Sequence, residues 1–385
     1  MKYKKVILLN GTFSGSQHEM IDSSLIISFA QFTERIKVYF LPKRRNIIKK
    51  LVSKRLDSKD VEYHCLYNVP DKVRITFREL IAAIQECMIF ATSGKNTLTC
   101  LTYVNRFNGF GLNFLSKITH KPLIIICHGE IRMACTPRRE DEINWVKMLR
   151  RFYGQTLLAK NVRLVVLGEY IKCNIEQYIP KENICKLLSF DHPYFPTSER
   201  TPLSLHTPIR IGVIGYLKRE SERGFENVKR MAKAIAGSDG FELRLLSSVE
   251  RTLERELPNT VKLMNPNSEF IPRDEYNKMI EELDYIYCPY PTGAFKAIAS
   301  GALLEAISKH KPVIMHRNEH VMYLREKYGE FGIIMDDTDE GFDKIRPVLK
   351  DYVHYKHLQI MQDTLLEKLS PENLGNSLRN ICNSI

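Results

Sequence analysis

At 385 residues, with 44% hydrophobic and 26% charged residues, the chain has an ordinary globular composition and is long enough for two cores, which excludes disordered, collagen-like and small disulfide-stapled classes. No uninterrupted apolar run, Leu123–Cys127 included, approaches the ~20 residues that cross a bilayer, and nine cysteines with no C-x-x-C pair argue against a disulfide framework. The net charge of +12 is uneven: residues 1–200 hold 32 Lys and Arg against 18 Asp and Glu, and the remainder 25 against 27.

At the N-terminus, Lys2, Lys4 and Lys5 precede only Val6–Leu9, too short for a signal-peptide core, so a first strand and a cytoplasmic protein are expected. Gly11 and Gly15 follow, placed for a tight strand-to-helix turn at the edge of a cleft, a signal that two glycines share with any such turn. In "KRRNIIKKLVSKR" the aliphatic residues fall on one helical face, and Lys43, Arg44, Arg45, Lys49 and Lys50 lie largely on the other. That pattern suits an anionic membrane surface at the inner leaflet, or a core-facing helix with a solvated basic back. The spacing of an RNA-recognition sheet is missing, and no nucleic-acid partner is expected.

Short β-rich runs alternate with amphipathic segments. In the first half they are Val6–Leu9, Lys37–Leu41, Met88–Ala91, Pro122–Cys127 and Val162–Leu167; in the second, Ile209–Tyr216, Leu243–Leu246, Tyr285–Tyr290, Pro312–Met315 and Gly332–Met335. This predicts an α/β fold of two Rossmann-like doubly wound domains facing a central cleft. The expected boundaries are 1–195, a Pro/Ser/Thr-rich linker at 196–208, 209–370, and a C-terminal helix at 371–385 packing back toward the first domain. Strand carboxyl ends line ligand sites in such sheets. His128 and Glu130 follow the strand Pro122–Cys127, and Lys218 and Arg223 lie in the loop after Ile209–Leu217.

The segment "YIYCPYPTGAFKAIASGALLEAISKHKPVIM" (Tyr285–Met315) carries the sharpest signal. Ser300 is a good helix N-cap, Gly301 permits close approach of a ligand, and the free N–H groups of the first turn attract phosphate. One turn on, Glu305 is the single charge among apolar neighbours and suits a ribose diol, or else faces water or a nearby Lys. "HRNEH" (His316–His320) formally matches a zinc-peptidase pattern, but it follows a strand directly. No Walker A, G-x-S-x-G or G-x-G-x-x-G sequence is present, "GVIGYL" at Gly212 having the wrong spacing.

Assembled, these parts resemble the GT-B glycosyltransferases, and more closely the family 4-like group that transfers sugars from nucleotide-sugar donors in bacterial polysaccharide and glycolipid synthesis. The resemblance covers the whole chain in outline. Its phosphate loop is matched by Gly215, Tyr216 and Arg223-Gly224-Phe225, and the second Glu of its Glu-x7-Glu motif by Glu305, while the first is replaced by Ala297. The resemblance implies that Tyr290, Lys296 and Ser300 flank the diphosphate and sugar, and that the base rests near Phe270 and Ile271. It also implies that His128 lies near the donor sugar and His192 at the hinge of the cleft. The implied reaction moves a sugar, of hexosyl class, from a nucleoside diphosphate co-substrate to a glycan or lipid-linked hydroxyl. It uses no metal and no resident cofactor, with retention, or with Glu130 as the base of an inverting reaction. A silent GT-B partner protein and a nucleotide-sugar epimerase are the alternatives.

Overall fold

The computed structural model describes residues 3–15, 18–57, 60–136, 143–196, 205–217, 224–236, 238, 240–246, 248–249, 251–265 and 271–385. It forms two compact units. Unit 1 comprises Met1–Phe195, Ala297–Ala299 and Leu369–Ile385; unit 2 comprises Pro196–Lys296 and Ser300–Lys368.

Unit 1 is built on seven strands, β1 (Lys5–Asn10), β2 (Arg35–Phe40), β3 (Val61–Cys65), β4 (Thr97–Leu101), β5 (Leu123–Cys127), β6 (Val162–Val166) and β7 (Leu187–Ser189). All pair in parallel, in the order β3-β2-β1-β4-β5-β6-β7. The central strands are buried on both faces, which is why β5, "LIIIC", reads as an unbroken apolar run. The connecting helices are α1 (Glu19–Ala30), α2 (Pro42–Val52), α3 (Ile75–Thr92), α4 (Asn108–Thr119), α5 (Asn144–Gln155) and α6 (Glu169–Ile175). Right-handed crossovers put α1 and α2 on one face; the chain then returns past β1, which puts α3 and α4 on the other. The packing agrees, α1 meeting α2 and α3 meeting α4.

Unit 2 repeats the plan with β8 (Ile209–Val213), β9 (Tyr216–Leu217), β10 (Phe241–Leu245), β11 (Ser248–Val249), β12 (Val261–Leu263), β13 (Tyr285–Cys288), β14 (Val313–Met315) and β15 (Gly332–Ile334). Six of them make a parallel sheet in the order β12-β10-β8-β13-β14-β15, and β9 pairs separately with β11. Its helices are α7 (Phe225–Ala236), α8 (Arg251–Glu254), α9 (Arg273–Glu281), α10 (Gly301–Ser308), α11 (Glu319–Tyr328), α12 (Gly341–Leu349) and α13 (Tyr352–Lys368). The last helix, α14 (Pro371–Asn383), belongs to unit 1 and packs on α1. Ser370 caps it, Pro371 opens it, and the Ser28 hydroxyl donates to the Pro371 carbonyl at 2.8 Å. Three residues of the central segment, Ala297–Ala299, also belong to unit 1, where the Tyr170 hydroxyl donates to the Ile298 carbonyl at 2.9 Å.

Two sequence expectations are corrected here. Met88–Ala91 is the end of helix α3, not a strand: Phe90 is buried while Met88 is exposed, a helical pattern that four residues cannot distinguish from a strand. Arg44 is fully buried and cannot meet a membrane, because its Nε donates to Asp22 of α1 at 2.9 Å and its Nη1 to the Gly15 carbonyl at 3.2 Å. Lys43, Lys49 and Lys50 are exposed and Arg45 half-exposed, but the aliphatic face of α2 turns inward, with Ile48 and Val52 in the core. Removing one partner of a buried pair leaves an uncompensated charge. Arg44→Ala should therefore cost about 3–5 kcal/mol in urea unfolding, whereas Lys43→Ala should change stability by about 0.5 kcal/mol or less.

Candidate active site

In unit 2 the strand order reverses between β8 and β13, so the loops after these strands leave in opposite directions. The β8 loop turns at Gly215 with φ +93°, a left-handed conformation; a Cβ there would lie 3.1 Å from the Tyr290 hydroxyl and 3.7 Å from Ala302. The glycine thus brings the β8 loop against both the β13 loop and the start of α10. Gly224, at φ +70°, lies closer still, a Cβ there falling 2.3 Å from the Pro289 carbonyl oxygen. Ser300 caps α10, its Oγ accepting from the Leu303 N–H at 3.2 Å, and its own N–H donates to Nδ1 of buried His320 at 3.1 Å. Gly301 is exposed with open space where a Cβ would stand, and Glu305, one turn on and half-buried, shares that helical face. The first turn of a helix leaves N–H groups without intrahelical acceptors, and its positive end draws anions. Tyr290 is buried edge-on against Phe295, with ring centroids 4.9 Å apart, while Lys296 is exposed and Ile271 half-buried. Lys218, Arg223 and Phe270 lie outside the described residues.

A buried polar network braces the β13 loop from below. The Tyr287 hydroxyl lies 2.6 Å from Nε2 of His316, whose Nδ1 is 2.5 Å from Asp337 and 3.0 Å from the Met335 carbonyl. With Nδ1 donating, Nε2 accepts from the tyrosine and the imidazole is neutral. Asp337 accepts from the Thr292 hydroxyl at 2.9 Å and from Asn227, whose amide also donates to the Pro289 carbonyl at 3.0 Å. This disposes of the zinc pattern: His316 directly follows strand β14, Asn318 caps α11, and the two histidines serve separate hydrogen bonds. Among the described residues no group of three His, Cys, Asp or Glu is arranged to hold a metal.

In unit 1 the corresponding reversal lies between β1 and β4. The His18 and His128 rings stand 4.9 Å apart, and Phe13 and Tyr103 flank His18. His128 is buried, and its Nε2 has no hydrogen-bond partner among the described residues. Burial first, then the nearby His18, His192 and Arg44, hold its pKa well below the usual value, so the ring is neutral. Half-buried His192 completes the group, its Nδ1 3.0 Å from the Pro193 carbonyl.

Two glycines and one carboxylate have structural work here. Gly11 lies under α3, where a Cβ would meet that of Ala82 at 2.9 Å, and its N–H donates to Glu86 at 2.7 Å. Gly15 gives its carbonyl to Arg44. Glu130, in a 3-10 turn (Gly129–Ala134), is buried and accepts from the Tyr153 hydroxyl at 3.2 Å, which ties the turn to α5; burial pushes its carboxyl up to about 7. His18, Glu86, Tyr287 and Asp337 carry no motif in the sequence, and the hydrogen bonds of His316 and His320 are not those of the zinc pattern they match. His18 lies at the helix start three residues after Gly15.

Glu86 supplies a pH test. It accepts from Gly11 and from the Asn108 amide at 2.9 Å, yet burial raises its carboxyl to about 7. The fold thus holds a proton there that the unfolded chain, titrating near 4.5, releases, so the associated stability is present at low pH and lost as pH rises through about 7. Relative to wild type, Glu86→Gln should gain up to about 3 kcal/mol between about pH 5 and pH 8, as read by denaturant unfolding at each pH.

No protein-family profile matches the sequence, and no curated protein does. Among solved structures, Anabaena HepE in complex with UDP and glucose matches over 100% of both chains, at TM-score 0.68 and 12% identity. Sucrose-phosphate synthase from Thermosynechococcus elongatus matches over 99% of this chain and 98% of its own, at TM-score 0.68 and 11% identity. A glycosyltransferase from Rickettsia africae matches over 100% and 98%, at TM-score 0.63 and 11% identity. Two parallel sheets of seven and six strands, each flanked by helices and aligned end to end with these proteins, give this chain the GT-B fold.

Proposed function

We propose that this protein is a glycosyltransferase that moves a hexosyl group from a nucleoside diphosphate sugar to a hydroxyl of a glycan or lipid-linked acceptor. The observation that carries the proposal is the start of α10: a Ser300-capped helix end beside Gly215 and Tyr290, with Glu305 on the same face as exposed Gly301. That arrangement suits a diphosphate at the helix N-terminus and a ribose diol on the carboxylate. The fold's occurrence in HepE, crystallised with UDP and glucose, supports the same reading.

Charge develops on the leaving diphosphate as the glycosidic bond breaks. Fixed donors serve it best, since they need no reorganisation during the reaction. The helix end suits part of that role, and Lys218 and Arg223, which follow β9 in the sequence, are the full charges we propose for the rest, with exposed Lys296 a further candidate. With three cations and a helix dipole in that role, neither a divalent metal nor a resident cofactor is required. Neutral His128, whose Nε2 has no partner among the described residues, has the chemistry to accept a hydrogen bond from a sugar hydroxyl. Glu130, bonded to the buried Tyr153 hydroxyl, positions the turn that follows β5, and we propose a retaining reaction. Polysaccharide or glycolipid synthesis, on the cytoplasmic side and peripheral to the membrane, is the setting we propose.

A thermal-shift series with UDP, GDP, dTDP, CDP and ADP tests the donor site. One of them, at about 100 times its dissociation constant, should add about 2.7 kcal/mol of stability to wild type. Glu305→Ala should lose that increment, and no shift with any of the five would overturn the reading.

A further inference from the structure

Unit 1 carries an exposed apolar surface on α3 and α4. On α3, Phe77, Leu80, Ile84 and Met88 are spaced by three or four residues and form one exposed stripe, with Ile75 at the helix start. Beside it on α4, Phe114 and Ile118 are 61% and 58% exposed. Gly111 lets the two helices close together, a Cβ there falling 2.7 Å from the Cys87 sulfur, and between them runs an open groove of about 430 Å³ lined by Leu80, Ile84, Met88, Phe107 and Leu115. Soluble monomers seldom leave so many large aliphatic and aromatic side chains together in water.

The charges around this face have one sign. Exposed Lys72 and Arg74 precede α3, exposed Lys95 follows it, and exposed Lys117 lies in the last turn of α4. Between residues 67 and 121 the carboxylates are Asp71, Glu79 and Glu86. Glu79 and Glu86 are buried, and Asp71 pairs with Arg78. A second copy docked on this face would set cations against cations. The exposed apolar groups on α3 and α4 themselves are aliphatic, Phe or Met and carry no polar tips, which matches hydrocarbon better than the Tyr- and Arg-rich centre of a protein interface. An apolar stripe between lysines is the pattern of a helix face lying in the headgroup boundary of an anionic bilayer.

We infer that the α3–α4 face is a docking surface for an anionic membrane, with Phe77, Ile84, Met88, Phe114 and Ile118 entering the acyl boundary and Lys72, Arg74, Lys95 and Lys117 meeting lipid phosphates. Basic α2 lies on the opposite face of the sheet and takes no part. The inference deepens the lipid-linked acceptor of the proposed function and rests on that reading only for the acceptor class. Membrane binding is scored without nucleotide, so failure of one leaves the other standing.

The test is co-sedimentation of the full chain with vesicles of phosphatidylcholine alone or mixed with phosphatidylglycerol. Wild type should partition onto the mixed vesicles. The triple variant Phe77→Ser, Ile84→Ser, Met88→Ser should bind at least about tenfold more weakly with its thermal unfolding intact, and Lys95→Gln with Lys117→Gln should weaken binding about tenfold or more. A Lys43→Gln, Lys49→Gln, Lys50→Gln variant should bind as wild type does. Four results would overturn the inference: no binding to either vesicle, undiminished binding by the triple variant, loss of binding in the α2 variant, or a wild-type dimer that the triple variant dissociates.

Discussion

The point at which each parallel sheet reverses its strand order governs the rest of the structure. Parallel strands joined by right-handed crossovers can grow outward from a first strand in only one direction per helix layer. When the chain returns to the other side of β1, and again of β8, the helices must change face and the loops on either side of the junction diverge. The backbone ends left between diverging loops are where a helix N-terminus can meet a ligand. In unit 2 that place is filled by Gly215, Tyr290 and the Ser300 end of α10; in unit 1, by the histidines beside Phe13 and Tyr103.

Loops at such junctions carry polar backbone that a sheet would otherwise satisfy, so buried polar groups hold them. Arg44 bridges Asp22 and the Gly15 carbonyl, and Glu86 bridges Gly11 and Asn108. Asp337 gathers Thr292, Asn227 and His316 beneath the β13 loop. Each clamp joins the loop to a neighbouring helix or strand end, so a ligand would meet groups already oriented. Preorganisation of this kind is what electrostatic stabilisation of a leaving group needs.

The same change of helix face sorts the surface of unit 1. Helix α2 turns its aliphatic side to the core and its lysines to water, whereas α3 and α4 on the opposite layer keep an apolar strip exposed between lysines. Helices of similar amphipathic appearance thus differ in which side faces the core.

Much was already determined by the residues themselves. The apolar runs of β1, β5, β6, β8 and β13 specify buried parallel strands because both their faces are covered, and Ser300 ahead of "GALLEAI" specifies a capped helix start because its oxygen satisfies a nearby backbone N–H. Strand β4, "TLTCL", has no apolar signature because Thr97 and Thr99 are polar yet buried, and Met88–Ala91 resembles a strand because a four-residue run carries no period. Tertiary structure alone decided that Arg44 is interior, that Glu130 faces Tyr153, that His316 and His320 serve different bonds, and that Ala297–Ala299 join unit 1. Each of these outcomes depends on a partner remote in the chain. Local pattern records which side of an element is apolar; which neighbour that side meets is fixed only when the sheets close.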